Sequence, residues 1–258
     1  MNTHAVQQSP VAAHTSPRVR SVGLFAPLHW IAAGFDDFRY APLYSLLYGL
    51  LFTAACGLTF VLVSSLPWFT IAFLTGLLLI GPYLASGVYL AARQRDSGQR
   101  VSIRAALSVL AERKTNMALY GVFLALVMVV WVRLAALLFA VQFTSMSPTI
   151  DGYLGVLSGG GDPWVLAFFL GIGMVLAVTV FVTSAVSVPL IVDRDLDPIG
   201  AIRTSTRAVI RNWPAMMLWA ALIVILAVVG VATFGVGMLV LFPILGYATW
   251  HSYRDLVA

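Results

Sequence analysis

The sequence predicts an all-α fold: a polytopic membrane bundle of six transmembrane helices, with two or three amphipathic helices at its cytoplasmic interface. Three observations predict it. Of 258 residues, 60% are hydrophobic and only 10% are charged, where soluble domains carry about 25% charged residues. The apolar residues gather into uncharged runs near the ~20 residues that cross ~30 Å of hydrocarbon as a helix. Finally, fourteen of the fifteen basic residues fall on one side of those runs when loops are assigned alternately to the two faces.

The elements follow in order. Residues 1–23 are polar, with Pro10, Pro17, Arg18 and Arg20. They lack the apolar core of a secretory signal and read as a disordered cytoplasmic tail. Residues 24–258 read as one membrane domain. A first amphipathic candidate covers 27–39, with Leu28, Ile31, Phe35 and Phe38 on one face. Spans at 43–63 and 67–92 are joined by the tight turn Ser64-Ser65-Leu66-Pro67. A second amphipathic segment, 102–114, puts Ile103, Ala106, Leu107 and Leu110 together, with Ser102 as its N-cap. Spans three and four cover 117–142 and 164–190. A third amphipathic segment, 198–211, opens on Asp197-Pro198, a capping residue and a first-turn proline. It sets Ile199, Ile202, Val209 and Ile210 opposite Arg203 and Arg207. Spans five and six, 213–231 and 235–252, bend at Thr233-Phe234-Gly235.

Each amphipathic segment leads directly into a span, which suggests a three-fold repeat of interfacial helix, span, turn and returning span. Asn116 and Asn212 lie 96 residues apart, as do Ile103 and Ile199.

The basic residues orient the bundle. One face carries 14 basic and 8 acidic residues, and the other loops carry only Asp151 and Asp162. By the excess of Lys and Arg in cytoplasmic loops, the basic face is inside and both termini are cytoplasmic. The formal charge of +5 therefore points to anionic headgroups, not nucleic acid, with Arg104, Arg203, Arg207 and Arg211 as the lipid-facing cations.

Arg133 is the one basic residue inside a span. Seventeen helical residues beyond Asn116 carry it ~25 Å through the bilayer. It either snorkels to the outer headgroups or pairs with Asp151 or Asp162, or it serves a substrate or ion as an intramembrane functional residue.

Other constellations are weak. Asp193, Asp195 and Asp197 begin like a calcium loop, but Pro198 and Thr204 stand where glycine and glutamate belong. His4, His14, His29 and His251 avoid mid-membrane depth, which excludes a bound haem or a copper–haem centre on ligand count. Cys56 alone cannot build a disulfide or a thiolate metal site. Ser158-Gly159-Gly160-Gly161-Asp162 lacks the lysine of a phosphate loop. No cofactor, metal site or catalytic set is expected. The only carboxylate and histidine candidates at the inner surface are Asp36, Asp37, Asp193 and His251. Small residues, among them Gly49, Gly57 and Gly87, permit close helix packing. Pro82, Pro189 and Pro243 interrupt spans, as at transporter sites or as simple packing kinks.

Several stretches together resemble an uncharacterised bacterial family of integral membrane proteins, classed as a domain of unknown function. They are Ile80-Gly81-Pro82-Tyr83-Leu84 leading to Gly87-Val88-Tyr89 and Arg93, then Ser187-Val188-Pro189-Leu190 with Asp193-Arg194, and the ending Phe242 to Leu256. Some members of that family carry a cytochrome c oxidase subunit label. The resemblance covers about residues 24–258 and implies a six-span inner-membrane protein without an assigned activity. It draws attention to Asp193, Arg194, Trp250, His251 and Arg254 at the inner surface. A histidine is expected where Tyr247 stands.

The sequence is thus read as a non-enzymatic accessory or partner-binding protein, associated with a respiratory complex or with a second copy of itself. A small-molecule or ion transporter is the alternative.

Overall fold

The computed structural model describes residues 17–66, 70–142, 163–233 and 235–258. Among them every regular element is a helix. In chain order these are α1 (Ala26–Tyr40), α2 (Pro42–Ser65), α3 (Thr70–Asp96), α4 (Ile103–Glu112) and α5 (Lys114–Gln142). After them come α6 (Pro163–Ser184), α7 (Ser187–Arg194), α8 (Pro198–Arg211), α9 (Trp213–Ala232) and α10 (Met238–Leu256). The expected outer loop, with Asp151, Asp162 and the glycine run, lies outside the described residues, as does most of the expected N-terminal tail.

Four stretches among the described residues are long and apolar enough to cross a membrane: Pro42–Ser65, Lys114–Leu134, Leu170–Arg194 and Trp213–Ala232. The expected second and sixth spans are helical as α3 and α10 but do not join that set. α10 runs into charge at Arg254 and Asp255, whereas α3 is uncharged from Thr70 to Ala92 and most side chains of residues 70–80 lie outside the described ones.

A short helix and a long one follow each other three times across a single-residue joint. The joints are Ala41, Arg113 and Asn212. Ser102 and Asp197 cap the second and third short helices, accepting from the N–H groups of Ala105 and Gly200. All three expected amphipathic segments are therefore helices, and each turns part of its marked face inward while several of its large apolar residues stay exposed. In α1 the inward residues are Pro27, Trp30, Gly34 and Asp37, while Leu28 and Phe35 are exposed. In α4 only Ala106 is fully buried, and Ile103 and Leu107 are exposed. In α8 the inward residues are Ala201, Thr204, Ser205, Ala208 and Val209, while Ile199 and Ile210 are 64% and 66% exposed. The reason is that lipid tails are as apolar as leucine. Burying a large apolar side chain gains little there, and close packing selects small residues.

The core sits at the end of the molecule where the chain termini meet. α1 packs along α10, which also packs on α2 and α3, while α7 and α8 pack against α3 and α6. Trp30, Trp219, Trp250, Tyr120, Tyr247 and Tyr253 are fully buried there. Residues 17–23, expected within the disordered tail, are instead pinned. Val19 bridges Val257, Arg20 N–H donates to Leu256 O at 2.8 Å, and Val22 N–H donates to Asn212 Oδ1 at 2.8 Å.

Pro189 breaks the fourth expected span. Its ring excludes the carbonyl four residues back, at Ala185, and its nitrogen donates no bond. α6 accordingly ends at Ser184, and α7 begins at Ser187. Ser205 of α8 spans the gap, donating to Val182 O at 2.8 Å and lying 3.4 Å from the Val186 N–H. The break is thus a packed joint, with its freed backbone groups held by a neighbour. Replacing Ser205 with alanine leaves them without that partner in a buried site, a loss of about 1–3 kcal/mol. A melting temperature in detergent equal to that of the parent would refute this.

Candidate functional site: an ion-paired layer at the polar end

The inner-surface residues singled out in sequence converge on this end, where carboxylates meet cations or indoles from other elements. Asp37 of α1 is only 3% exposed. Its position is dictated by Gly34, one turn earlier, where a Cβ would stand 2.7 Å from Ile244 O and 2.9 Å from Ala248 N. That close approach presses α1 on α10 and turns Asp37 inward with Trp30. One Asp37 oxygen is paired with the Arg95 guanidinium. The other lies 2.8 Å from His251 Nε2. Arg95 in turn lies over the Tyr40 ring, 4.9 Å from its centroid.

Asp193 anchors a second group. Arg93 Nε lies 3.0 Å from Asp193 Oδ1, and the Tyr253 hydroxyl donates to Oδ2 at 2.6 Å. Arg194 Nε donates to that same hydroxyl at 2.9 Å, and Arg194 Nη1 donates to Ala258 O at 2.8 Å. Burial pushes the Tyr253 phenol well above its ordinary pKa, and donation to a carboxylate adds to the rise. Tyr253 therefore stays a donor, relaying Arg194 to Asp193.

Two more carboxylates receive tryptophan indoles. Trp250 Nε1 donates to Asp96 at 2.9 Å, with Arg254 Nε at 3.9 Å from the same oxygen. Trp30 Nε1 donates to Asp255 at 2.7 Å. Asp195 pairs with Arg113 at 2.6 Å and accepts from Asn116 Nδ2 at 2.9 Å. Asn212, the counterpart of Asn116, accepts from Val22 N–H and donates to Arg20 O at 2.9 Å.

All five candidates Asp193, Arg194, Trp250, His251 and Arg254 thus belong to one layer. Sequence reasoning missed Arg93, Arg95 and Asp96 as members. A signal was available in the dipeptide Arg-Asp, which closes three returning helices as Arg95-Asp96, Arg194-Asp195 and Arg254-Asp255. Arg104, Arg203, Arg207 and Arg211 lie outside the layer, exposed on α4 and α8. Arg133 is exposed and makes no ion pair among the described residues, and its proposed partners Asp151 and Asp162 fall outside them. His29 and Asp36 are also exposed. Tyr247, where a histidine was expected, is buried, with its hydroxyl 2.9 Å from Ser45 Oγ.

Chemically, the layer is a lock. Each carboxylate's charge is spent on protein donors, and no group of three or more His, Cys, Asp or Glu able to hold a metal occurs among the described residues. His251 beside Asp37 has the form of a base and its orienting carboxylate, but Asp37 is shared with Arg95.

The two inner motif stretches quoted from the sequence, around Gly87 to Arg93 and Ser187 to Asp193, meet through the Arg93–Asp193 pair. Both stretches lie within residues 69–193, which match a family model described as predicted integral membrane protein (DUF2189). This segment, just under half of the chain, is similar to that family. The match runs from α3 through α7 and leaves α1, α2 and α8–α10 outside, including the ending from Phe242 to Leu256. The matched segment therefore supplies Arg93, Arg95, Asp96, Arg113 and Asp193, and the flanking residues supply Asp37, Arg194, Asp195, Trp250, His251 and Tyr253. No curated protein and no solved structure matches the chain.

Proposed function

We propose that this chain is a non-enzymatic protein of the bacterial inner membrane, with six spans and both termini in the cytoplasm. It works by packing against a membrane-embedded partner, either a respiratory complex it accompanies or a second copy of itself. One observation carries this reading. The polar groups of the inner layer are spent on each other, whereas the long apolar helices turn most of their surface outward. Only 17% to 44% of the apolar window in each of the four is buried within the chain. Mild extraction into lipid nanodiscs followed by mass measurement tests it. The expected result is a stoichiometric complex or a dimer, and a lone monomer at every lipid ratio counts against it.

The cytoplasmic placement of the polar end rests on its fourteen basic residues. The short helices then lie at the headgroup boundary. On α8 the exposed side chains Ile199 and Ile210, with Trp213 at the start of α9, alternate with Arg203, Arg207 and Arg211, a face suited to the boundary between acyl chains and anionic headgroups. Replacing the three arginines with glutamate is expected to weaken docking of α8 on anionic bilayers by ~1 kcal/mol per basic residue near the surface. Unaltered hydrogen-exchange protection of residues 198–211 in anionic nanodiscs would contradict this.

Ion transport draws less support. Among the described residues lining the two interhelical clefts, none is charged, where transport sites gather several polar groups near the midplane.

A further inference from the structure

Two clefts flank the inner half of α6. One, of about 570 Å³, lies between α5, α6 and α9, with Trp131, Leu176 and Trp219 in its wall. The other, of about 540 Å³, lies among α2, α3, α5 and α10, with Phe52, Tyr89 and Phe242 in its wall. They share Val180, Ser184, Ile223 and Thr249. The clefts are almost wholly apolar, and both open sideways between helices. Two hydroxyls stand out against that lining. Tyr120 is 1% exposed and lines the second cleft, and Ser184 lines both. The buried Tyr120 Oη and Ser184 Oγ have no hydrogen-bond partner. Tyr120 lies close to Ser184 and Ser187, and the Ser187 hydroxyl donates to Thr183 O at 2.6 Å.

A buried hydroxyl without a partner is costly. An apolar space of this size does not hold water well enough to supply one. The inner end of the cleft is closed by buried Tyr89, Tyr120 and Val188, so a charged headgroup cannot pass there, and no lining cation would offset its desolvation. The space therefore suits a molecule that is apolar along its length, uncharged, and tipped with an oxygen able to accept from two hydroxyls. We infer that the paired clefts are a binding site for a neutral lipophile bearing a carbonyl group, its oxygen held by Tyr120 and Ser184 and its chain lying along α6. This site is independent of the packing role proposed above.

Quenching of tryptophan fluorescence tests this, because Trp131 and Trp219 line the first cleft. The probe is the methyl ester of dibromostearic acid, added to the full chain in phosphatidylcholine nanodiscs. Phosphatidylcholine brominated on its acyl chains is the comparison. The expected result is saturable quenching by the ester at a small mole fraction, and only gradual, non-saturable quenching by the brominated phospholipid. The Tyr120→Phe and Ser184→Ala substitutions together should shift the ester midpoint about ten-fold upward. Each alone should leave the melting temperature of the ester-free protein unchanged or raised, since each removes an unsatisfied hydroxyl. Non-saturable ester quenching, equal behaviour of the two brominated probes, or a midpoint unmoved in the double variant would each overturn the assignment.

Discussion

Replacing Arg95 with alanine is expected to destabilise the protein by about 3 kcal/mol, more than replacing any of the exposed arginines of α8. The asymmetry within the ion pair is the reason. Asp37 is 3% exposed, whereas the Arg95 side chain is 36% exposed. Without Arg95 the carboxylate stays buried with only His251 at 2.8 Å. Removing one partner of a buried pair costs about 3–5 kcal/mol, because the remaining charge is uncompensated. We take the lower end, since His251 is close enough to share the charge. Replacing Asp37 with asparagine instead frees Arg95 to reach water, and should cost about 1–2 kcal/mol, as for losing a hydrogen bond to a charged group. In the double variant the buried charge is absent, so most of the Arg95→Ala loss should be recovered. Unfolding titrations of the four proteins measure this. Additive single and double losses would show that Asp37 and Arg95 do not act as a pair.

The same layer shows what the sequence made legible and what it did not. Helix starts and joints were readable from chemistry within three or four residues, through Ser102, Asp197-Pro198 and the joints before Met117 and Trp213. The convergence of His251 and Asp193 on one surface was readable from topology, since all returning helices end there. The buried faces were only partly readable by the rule that serves in water, which found Ala106 and Val209. Leu28 and Phe35, Ile103 and Leu107, and Ile199 and Ile210 mark the outward faces, because the solvent beyond them is itself apolar. The inward faces are marked by Gly34, Ala106 and Ala201. Asp37 was legible only as a candidate carboxylate, because its burial depends on α10 approaching the backbone at Gly34, a tertiary fact without a local signature. Arg133 is a different case. A charge within an apolar run invites a functional reading, and its side chain is exposed in the second half of α5.

Glycine gives the sharpest division between positions that packing requires and positions it merely tolerates. Gly49 and Gly57 both lie in α2, and the sequence assigns both to close packing. A Cβ at Gly57 would meet nothing within 4 Å. One at Gly49 would stand 1.9 Å from Leu239 O and 2.7 Å from its carbonyl carbon. Both atoms are backbone of α10, so no side-chain rotation relieves the overlap. The helices would have to part by more than an ångström along a seam that also holds the Ser45–Tyr247 contact at 2.9 Å and the stacked rings of Phe52 and Phe242, 4.1 Å apart. Overpacking costs about 1–3 kcal/mol where neighbours can adjust. With backbone on both sides, Gly49→Ala should cost about 3 kcal/mol or prevent assembly of α2 with α10. Gly57→Ala should be neutral or stabilise by up to about 1 kcal/mol, through helix propensity alone. Equal melting temperatures for the two variants would mean that α2 and α10 are not in backbone contact. With that contact gone, so would be the reason for the seating of α10 and its His251 against Asp37.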